Sequence, residues 1–290
     1  MNPMRFNILG GGKVGKTLGY LWQHHGIAQL AGVLNRSLTS SQAAVDFIQA
    51  GQAIAQMQDL PPADVFLLSC ADNQLTTCCE ALALSGVLQA GNVVLHCSGA
   101  LSSAILQPAK DVGAHIASIH PIKSFAEPAQ VIHDFAGTFC GMEGDNAALH
   151  LLEPWFTQLD ARTFRIDPQQ KTLYHTASVM ACNYLVALQE ISLQTFSQAG
   201  VERTLAMQIL NPIVRGTVDN VFRLGTANAL TGPIARGDYR VVERQLSALQ
   251  RWQPDFAEIY RLLGKAAVEL SQQQGHATVD DLATLREVLT

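Results

Sequence analysis

The chain has 290 residues, 48% of them hydrophobic and 15% charged, and a net charge of −5. That length and apolar content suit two packed domains, and no run of Lys/Arg offers a nucleic-acid face. The six cysteines (Cys70, Cys78, Cys79, Cys97, Cys140, Cys182) show neither C-x-x-C nor zinc-ligand spacing with a histidine pair, so no metal site is expected and the thiols are read as reduced and cytoplasmic.

An apolar run ending at Leu9 leads into Gly10-Gly11-Gly12-Lys13-Val14-Gly15, and a helical pattern follows from Lys16 to Gln23. This strand begins so early that no signal peptide is expected. A G-x-G-x-x-G pattern between strand and helix predicts a pyrophosphate site: Gly10 permits the turn, Gly12 lets the backbone approach the phosphates, and Gly15 lets the helix pack on the strand.

Strand candidates recur at Met4–Leu9, Leu30–Leu34, Val65–Ser69, Val93–Cys97, Ile116–Ile119, Gly137–Gly141 and Thr163–Ile166, with helical stretches between the early ones. Alternating strands and helices predict an α/β Rossmann domain with a mostly parallel sheet. Runs such as Val65-Phe66-Leu67-Leu68 suit strands buried on both faces.

The strand near Leu34 ends in Asn35-Arg36-Ser37. An NAD site would place a carboxylate roughly 20 residues past the glycines, on the ribose 2′-hydroxyl. Here a cation and two neutral hydrogen-bonding groups stand instead, which predicts NADP (NADPH) over NAD. Cys70-Ala71-Asp72 and Ser98 follow two later strands, where the ribose and nicotinamide should lie. Asp72 reads equally well as a cap of the next helix.

From Asp167-Pro168 onward every strong signal is helical, which divides the sequence into a cofactor domain, 1–166, and an all-α domain, 167–290, for substrate binding and dimerisation. Asp167 and Pro168 suit an N-cap and first helical position, opening a helix to Gln198 that would be about 45 Å long. Its charge-free stretch Thr172–Gln189 carries His175, Asn183 and Gln189, which suits burial in protein better than a membrane span. Helices follow at Arg203–Leu224, with a kink expected at Pro212, and at Tyr239–Gln250, Pro254–Gln273 and Thr278–Leu289. The long helix is apolar almost all round, and burial against a twofold partner, as a homodimer, is expected.

Three constellations could carry chemistry. Lys171, His175, Ser178 and Cys182 fall within about 40° on the long helix, with Asn183 about 120° round from Lys171. Lys171 and His175 can each supply a proton or hold an oxyanion. His120, at the end of a strand in Ile119-His120-Pro121, can reach the cofactor face. In Ala229–Asp238, Thr231, Arg236 and Asp238 concentrate hydroxyl, guanidinium and carboxylate, and Arg236 could pair an anionic group. Against these stand a solvated first-turn lysine, a core histidine, a turn histidine and an ordinary interhelical loop.

The glycine loop, the Asn-Arg-Ser turn and a helical second domain opened by an early lysine resemble the 6-phosphogluconate-dehydrogenase-like superfamily, which includes pyrroline-5-carboxylate reductase and ketopantoate reductase. The chain is most similar to its poorly characterised Rossmann-like oxidoreductase branch with a C-terminal domain of unknown function. The shared motifs are His96-Cys97-Ser98-Gly99, His120-Pro121 with Phe125, Tyr174-His175 with Asn183, and Ala229–Asp238. The resemblance implies that Lys171 acts as proton donor or orients a carbonyl, and His175 stands where relatives carry a substrate-binding Asn. The His-Pro pair is also similar to a motif of prephenate dehydrogenase.

The sequence therefore predicts an NADP-dependent oxidoreductase that moves hydride between nicotinamide and a C=O or C=N carbon of a small anionic substrate in an interdomain cleft. Lys171, His175 and His120 are its candidate catalytic residues, and Asn183, Thr231, Arg236 and Asp238 its candidate substrate-binding residues. A non-catalytic NADP-binding sensor and a prephenate-dehydrogenase-like enzyme are the alternatives. No nucleic acid or membrane is expected as partner.

Overall fold

The structure is a computed structural model that describes residues 3–290. It divides into two compact units, Met1–Ala181 and Cys182–Thr290.

The first unit is built on an eight-stranded sheet: β1 (Arg5–Leu9), β2 (Gln29–Leu34), β3 (Gln52–Ile54), β4 (Val65–Leu68), β5 (Val93–His96), β6 (His115–Pro121), β7 (Phe139–Gly144) and β8 (Arg162–Arg165). Their order is β3-β2-β1-β4-β5-β6-β7-β8. Only the β6–β7 pairing is antiparallel. The chain order reverses direction between β1 and β4, the switch point at which such sheets bind ligands. β3, three residues of mixed polarity, was not anticipated from the sequence.

Burial alternates along the central strands. In β4, Val65 and Leu67 enter one core with Phe6, Ile8, Trp22 and Trp155, while Phe66 and Leu68 enter the other with Leu75, Cys79 and Leu106. A strand whose side chains alternate between two apolar layers must be apolar throughout, which is why Val65–Leu68 has no polar position. Helices α1 (Lys13–His24), α2 (Leu38–Ile48), α3 (Asp72–Leu84), α4 (Gln107–Asp111), α5 (Pro128–Asp134) and α6 (Asn146–Thr157) connect these strands. Trp22 of α1 meets Trp155 and Phe156 of α6 edge-on, with ring centroids 5.1 and 5.6 Å apart.

The helix expected to run unbroken from Pro168 to Gln198 is in four pieces. A 3-10 turn at Pro168–Gln170, capped by the Asp167 side chain, leads into α7 (Lys171–Ser178), then a π turn at Val179–Asn183, then α8 (Tyr184–Gln198). A π turn takes more residues per turn than an α-helix. It breaks the phase of the expected polar stripe, and Cys182 ends exposed while Lys171 is buried.

The boundary between compact units therefore falls later than the sequence division at residue 166. The physical reason is Lys171, whose ammonium is buried on the sheet against Ser118 of β6 and Glu143 of β7. That contact makes α7 part of the first unit.

The second unit is helical: α8, α9 (Arg203–Leu224, containing Pro212), α10 (Thr226–Ala229), α11 (Tyr239–Trp252), α12 (Pro254–Gln274) and α13 (Val279–Val288). Val242, Val268, Leu282, Leu285 and Leu289 form its buried core. The Glu202 carboxylate accepts the Leu205 amide to start α9, and the Thr278 hydroxyl accepts the Asp281 amide to start α13. Within the single chain α8 keeps only Leu193 buried, and Val186 of α8 and Phe222 of α9 are 71% and 86% exposed. No described helix is long and apolar enough to cross a membrane.

Candidate active site

The glycine turn opens a cavity of about 910 Å³ at the switch point. Gly10 has φ +94°, and a Cβ there would meet the Cys70 Cα at 2.8 Å, so the turn needs glycine for both conformation and space. Its amide donates to Leu34 O at 2.8 Å, and its carbonyl accepts the Ser69 hydroxyl at 2.7 Å. A Cβ on Gly12 would enter open space, whereas one on Gly15 would meet the Gly10 carbonyl at 2.7 Å. Gly12 thus leaves the approach to the turn clear, and Gly15 lets α1 close onto it. No side chain caps α1 at Gly12, so its first amides are free to meet an anion.

Of the predicted cofactor residues, Gly10, Gly11, Gly12, Asn35, Arg36, Cys70 and Ala71 line this cavity. Asn35 also braces the turn: its Oδ1 accepts the Gly11 amide at 2.6 Å and its Nδ2 donates to Ser40 O at 2.7 Å. Arg36 is free of any ion pair among the described residues, while Ser37 caps α2 by accepting the Ser40 amide at 3.2 Å. Lys13, Val14, Gly15, Ser37, Asp72 and Ser98 are not in the lining. Lys13 gives only its carbonyl, to Thr17, and Val14 packs on the core. Lys16, Ser40, Asn73, Gln74, Thr77 and Cys78 line the cavity unpredicted. Gln74, Thr77, Cys78 and Ala81 share one face of α3, a helical spacing visible in the sequence once that face is known to be wet.

Asp72, next to Ala71 in the chain, opens a second cluster. Asp72 accepts the Ser98 hydroxyl at 2.8 Å, and the Ser98 oxygen accepts the amides of Ala100 and Leu101 at 3.2 and 3.0 Å. These bonds hold the loop after β5, where Gly99 faces two imidazoles. A Cβ on Gly99 would meet His120 Cε1 at 2.8 Å and Nε2 at 2.9 Å, and would collide with His175 Nδ1. His120 and His175 lie edge to face, centroids 5.6 Å apart. The His120 Nδ1 is bonded to the Tyr174 hydroxyl at 2.9 Å, and the His175 Nδ1 is buried with no protein partner among the described residues.

Burial first, then the charges of His175 and Lys171, push the His120 imidazole down to about 4, against a smaller opposing effect of Asp72. Burial pushes the Tyr174 phenol up to about 12. At neutral pH both are uncharged. A phenol donating to Nδ1 leaves the proton of His120 on Nε2, beside Gly99.

Behind this cluster lies a buried polar network. Lys171 contacts the Ser118 hydroxyl and pairs with Glu143 at 3.2 Å, with side chains 1% and 2% exposed. Glu143 also accepts the Ser103 amide at 2.8 Å and its hydroxyl at 2.7 Å. His96 Nδ1 accepts the Ser98 amide at 3.1 Å, which leaves Nε2 protonated to donate to Ser102 O at 3.2 Å. Burial holds His96 down to about 3. Burial also lowers the Lys171 ammonium, opposed by the Glu143 carboxylate. Lys171 is sealed in this way, while His175, one turn along α7, and His120 of β6 stand beside Gly99.

Asn183, Thr231, Arg236 and Asp238 belong to the second unit. Asn183 ends the π turn, exposed. The Thr231–Asp238 loop is pinned to α12 by Ser271 and Gln274, which donate to Ile234 O at 3.0 Å and Leu230 O at 3.1 Å. Asp238 sits at the N-cap of α11 without a side-chain cap bond, and Arg236 is exposed.

Residues 2–121 match a Rossmann-like domain, and residues 138–267 match a domain of unknown function, DUF2520. No curated protein matches the chain. Among solved structures, a protein from Thermotoga maritima is 25% identical, with TM-score 0.73, over 93% of this chain and 99% of that one. A provisionally named NADP oxidoreductase from Bacteroides fragilis is 18% identical, with TM-score 0.72, over 94% and 98%. An imine reductase from Myxococcus stipitatus in complex with NADP+ is 16% identical, with TM-score 0.64, over 99% and 100%. The pairing of a Rossmann-like domain with DUF2520 agrees with the 6-phosphogluconate-dehydrogenase-like superfamily.

Proposed function

We propose that the protein is an oxidoreductase that binds a nicotinamide dinucleotide, NADP by preference, and reduces a C=O or C=N bond of a small anionic substrate. The observation that carries this reading is continuity. The glycine-lined cavity reaches Cys70 and Ala71; the next residue, Asp72, lies outside the lining and holds Ser98, and Gly99 beside Ser98 faces His120 and His175. Structural neighbours named as NADP oxidoreductase and imine reductase support the same class.

Gly10, Gly11 and Gly12 would hold the pyrophosphate, and Arg36 with Ser40 a 2′-phosphate. The bound nicotinamide supplies the hydride. His120, neutral and oriented by Tyr174, offers Nε2–H to the substrate heteroatom, and His175 offers the unpartnered Nδ1 beside it. Lys171 holds α7, and therefore Tyr174 and His175, against the sheet. Arg236 is the candidate partner for the substrate anion, with Asn183, Thr231 and Asp238 as further candidates. The apolar side chains that α8 and α9 leave exposed are read as the seat of a second copy, which sedimentation would show as a dimer.

Single-turnover oxidation of NADPH against a panel of 2-oxo acids and cyclic imines tests this reading. His120→Asn should slow hydride transfer about 10²- to 10⁴-fold on any substrate so found. Wild-type rates in that variant would remove His120 from the chemistry. Tight NADPH binding without oxidation across the panel would favour a sensor.

A further inference from the structure

Asp72, the first residue of α3, has neighbours on both sides in the wall of the dinucleotide cavity, yet its own side chain is engaged elsewhere. We propose that Asp72 is a positioning residue for the imidazole pair: through the Ser98 hydroxyl it fixes the loop that sets Gly99 against His120 and His175. The proposal rests on the reading of that pair as the place of proton donation.

Ala71, Asn73 and Gln74 line the cavity, and Asp72 does not. α3 begins at Ala71 without a side-chain cap bond. A carboxylate at this place could take one of the free first-turn amides, but that of Asp72 accepts the Ser98 hydroxyl at 2.8 Å. Asp72 is exposed and Ser98 is buried, so the bond ties a surface charge to a hydroxyl under the loop after β5.

The chemistry of the two groups gives the bond one direction. An ionised carboxylate only accepts, so the hydroxyl proton is spent on Asp72 and both oxygen lone pairs are left over. They take the amides of Ala100 at 3.2 Å and Leu101 at 3.0 Å. The Ser98 amide donates to the buried His96 Nδ1 at 3.1 Å. Gly99 is therefore held between two fixed residues, at a distance from both imidazoles that leaves no room for a Cβ. The His175 Nδ1 has no protein partner among the described residues, and the Gly99 methylene stands against it.

The other supports of the pair act elsewhere. Tyr174 bonds one ring directly, and Lys171 holds the helix that carries the other. Neither side chain bonds residues 98–101 among the described residues, so the placement of the loop falls to Asp72.

The test reads the rings themselves, so it needs neither substrate nor dinucleotide. NMR of ring Cε1–H groups in protein carrying isotope-labelled histidine, assigned with His120→Asn and His175→Asn, follows each imidazole. Asp72→Ala and Ser98→Ala should each move the His120 and His175 signals and leave that of the exposed His150 in place. Asp72→Asn, whose amide oxygen still accepts the hydroxyl, should stay close to wild type. On a substrate found with the panel above, Asp72→Ala should lower kcat at least about tenfold with NADPH affinity within about twofold. Asp72→Asn should recover most of that rate, and Asp72→Ala with Ser98→Ala should be no slower than either alone. Unmoved ring signals in Asp72→Ala would overturn the proposal. Signals moved as far by Asp72→Asn as by Asp72→Ala would overturn the route through the hydrogen bond. Ring signals that move as expected, in a protein that reduces nothing on the panel, would uphold the positioning and count against the oxidoreductase reading alone.

Discussion

The Lys171 ammonium and the Glu143 carboxylate lie 3.2 Å apart with both side chains sealed from solvent, joining α7 to the one antiparallel seam of the sheet. Taking two charges out of water costs several kcal/mol each, and the pair is tolerated because Ser118 and Ser103 satisfy the remaining valences. Removing one partner leaves the other charged and unpaired. Lys171→Met should therefore lose about 3–5 kcal/mol in chemical denaturation, and Lys171→Met with Glu143→Leu should recover most of it. Single and double variants of equal stability would show that the two do not act as a pair.

Local chemistry was legible in the sequence and long-range pairing was not. Asp167 and Pro168 announced a helix start because capping involves neighbouring residues, and Asp167 Oδ1 does accept the Gln169 amide at 2.9 Å. The glycine turn was readable because only glycine meets its φ and space. Nothing near Lys171 in sequence reveals its partner Glu143, a single acid in an otherwise ordinary strand. The π turn at Val179–Asn183 left no pattern, and a stripe counted at 100° per residue ran through it unbroken. Tyr174 was visible beside His175, but its bond to His120 depends on Gly141 opposite His120 in the β6–β7 register, where a Cβ would lie 3.0 Å from the phenol oxygen.

The buried His96 makes the first unit acid-sensitive. Its folded value, about 3, lies below the ordinary 6.5, so the unfolded chain binds the proton more readily. Its contribution is complete above about pH 6.5 and is lost as pH falls toward 3. The shift corresponds to roughly 5 kcal/mol. His96→Asn should flatten the stability profile between pH 6 and pH 4, roughly the window in which the wild type titrates. An unchanged slope in urea titrations across that range would contradict the assignment.

A methyl group added at Gly99 would press on both His120 and His175 without either being substituted. That Cβ would collide with His175 Nδ1 and sit 2.9 Å from His120 Nε2. Gly99 has no left-handed φ, so alanine carries no backbone penalty there. Gly99→Ala should fold with a stability loss of about 1–3 kcal/mol from overpacking and lower the hydride-transfer rate at least about tenfold, with NADPH affinity little changed. Weakened NADPH binding with an intact rate would place the imidazole pair outside the reaction.

A preference between the two dinucleotides would rest on Arg36. It lines the cavity beside Asn35, but Asn35 is committed to the Gly11 amide and Ser37 to capping α2, so the guanidinium is the predicted residue left to meet a 2′-phosphate. A charge-assisted bond of this type contributes about 1.5–3 kcal/mol. Arg36→Gln should therefore weaken NADPH roughly 10- to 150-fold while leaving NADH within about twofold, as read by fluorescence titration. Equal losses for both would mean that Arg36 supports the cavity wall and does not read the phosphate. Wild-type protein that binds NADH as tightly as NADPH would remove the preference altogether.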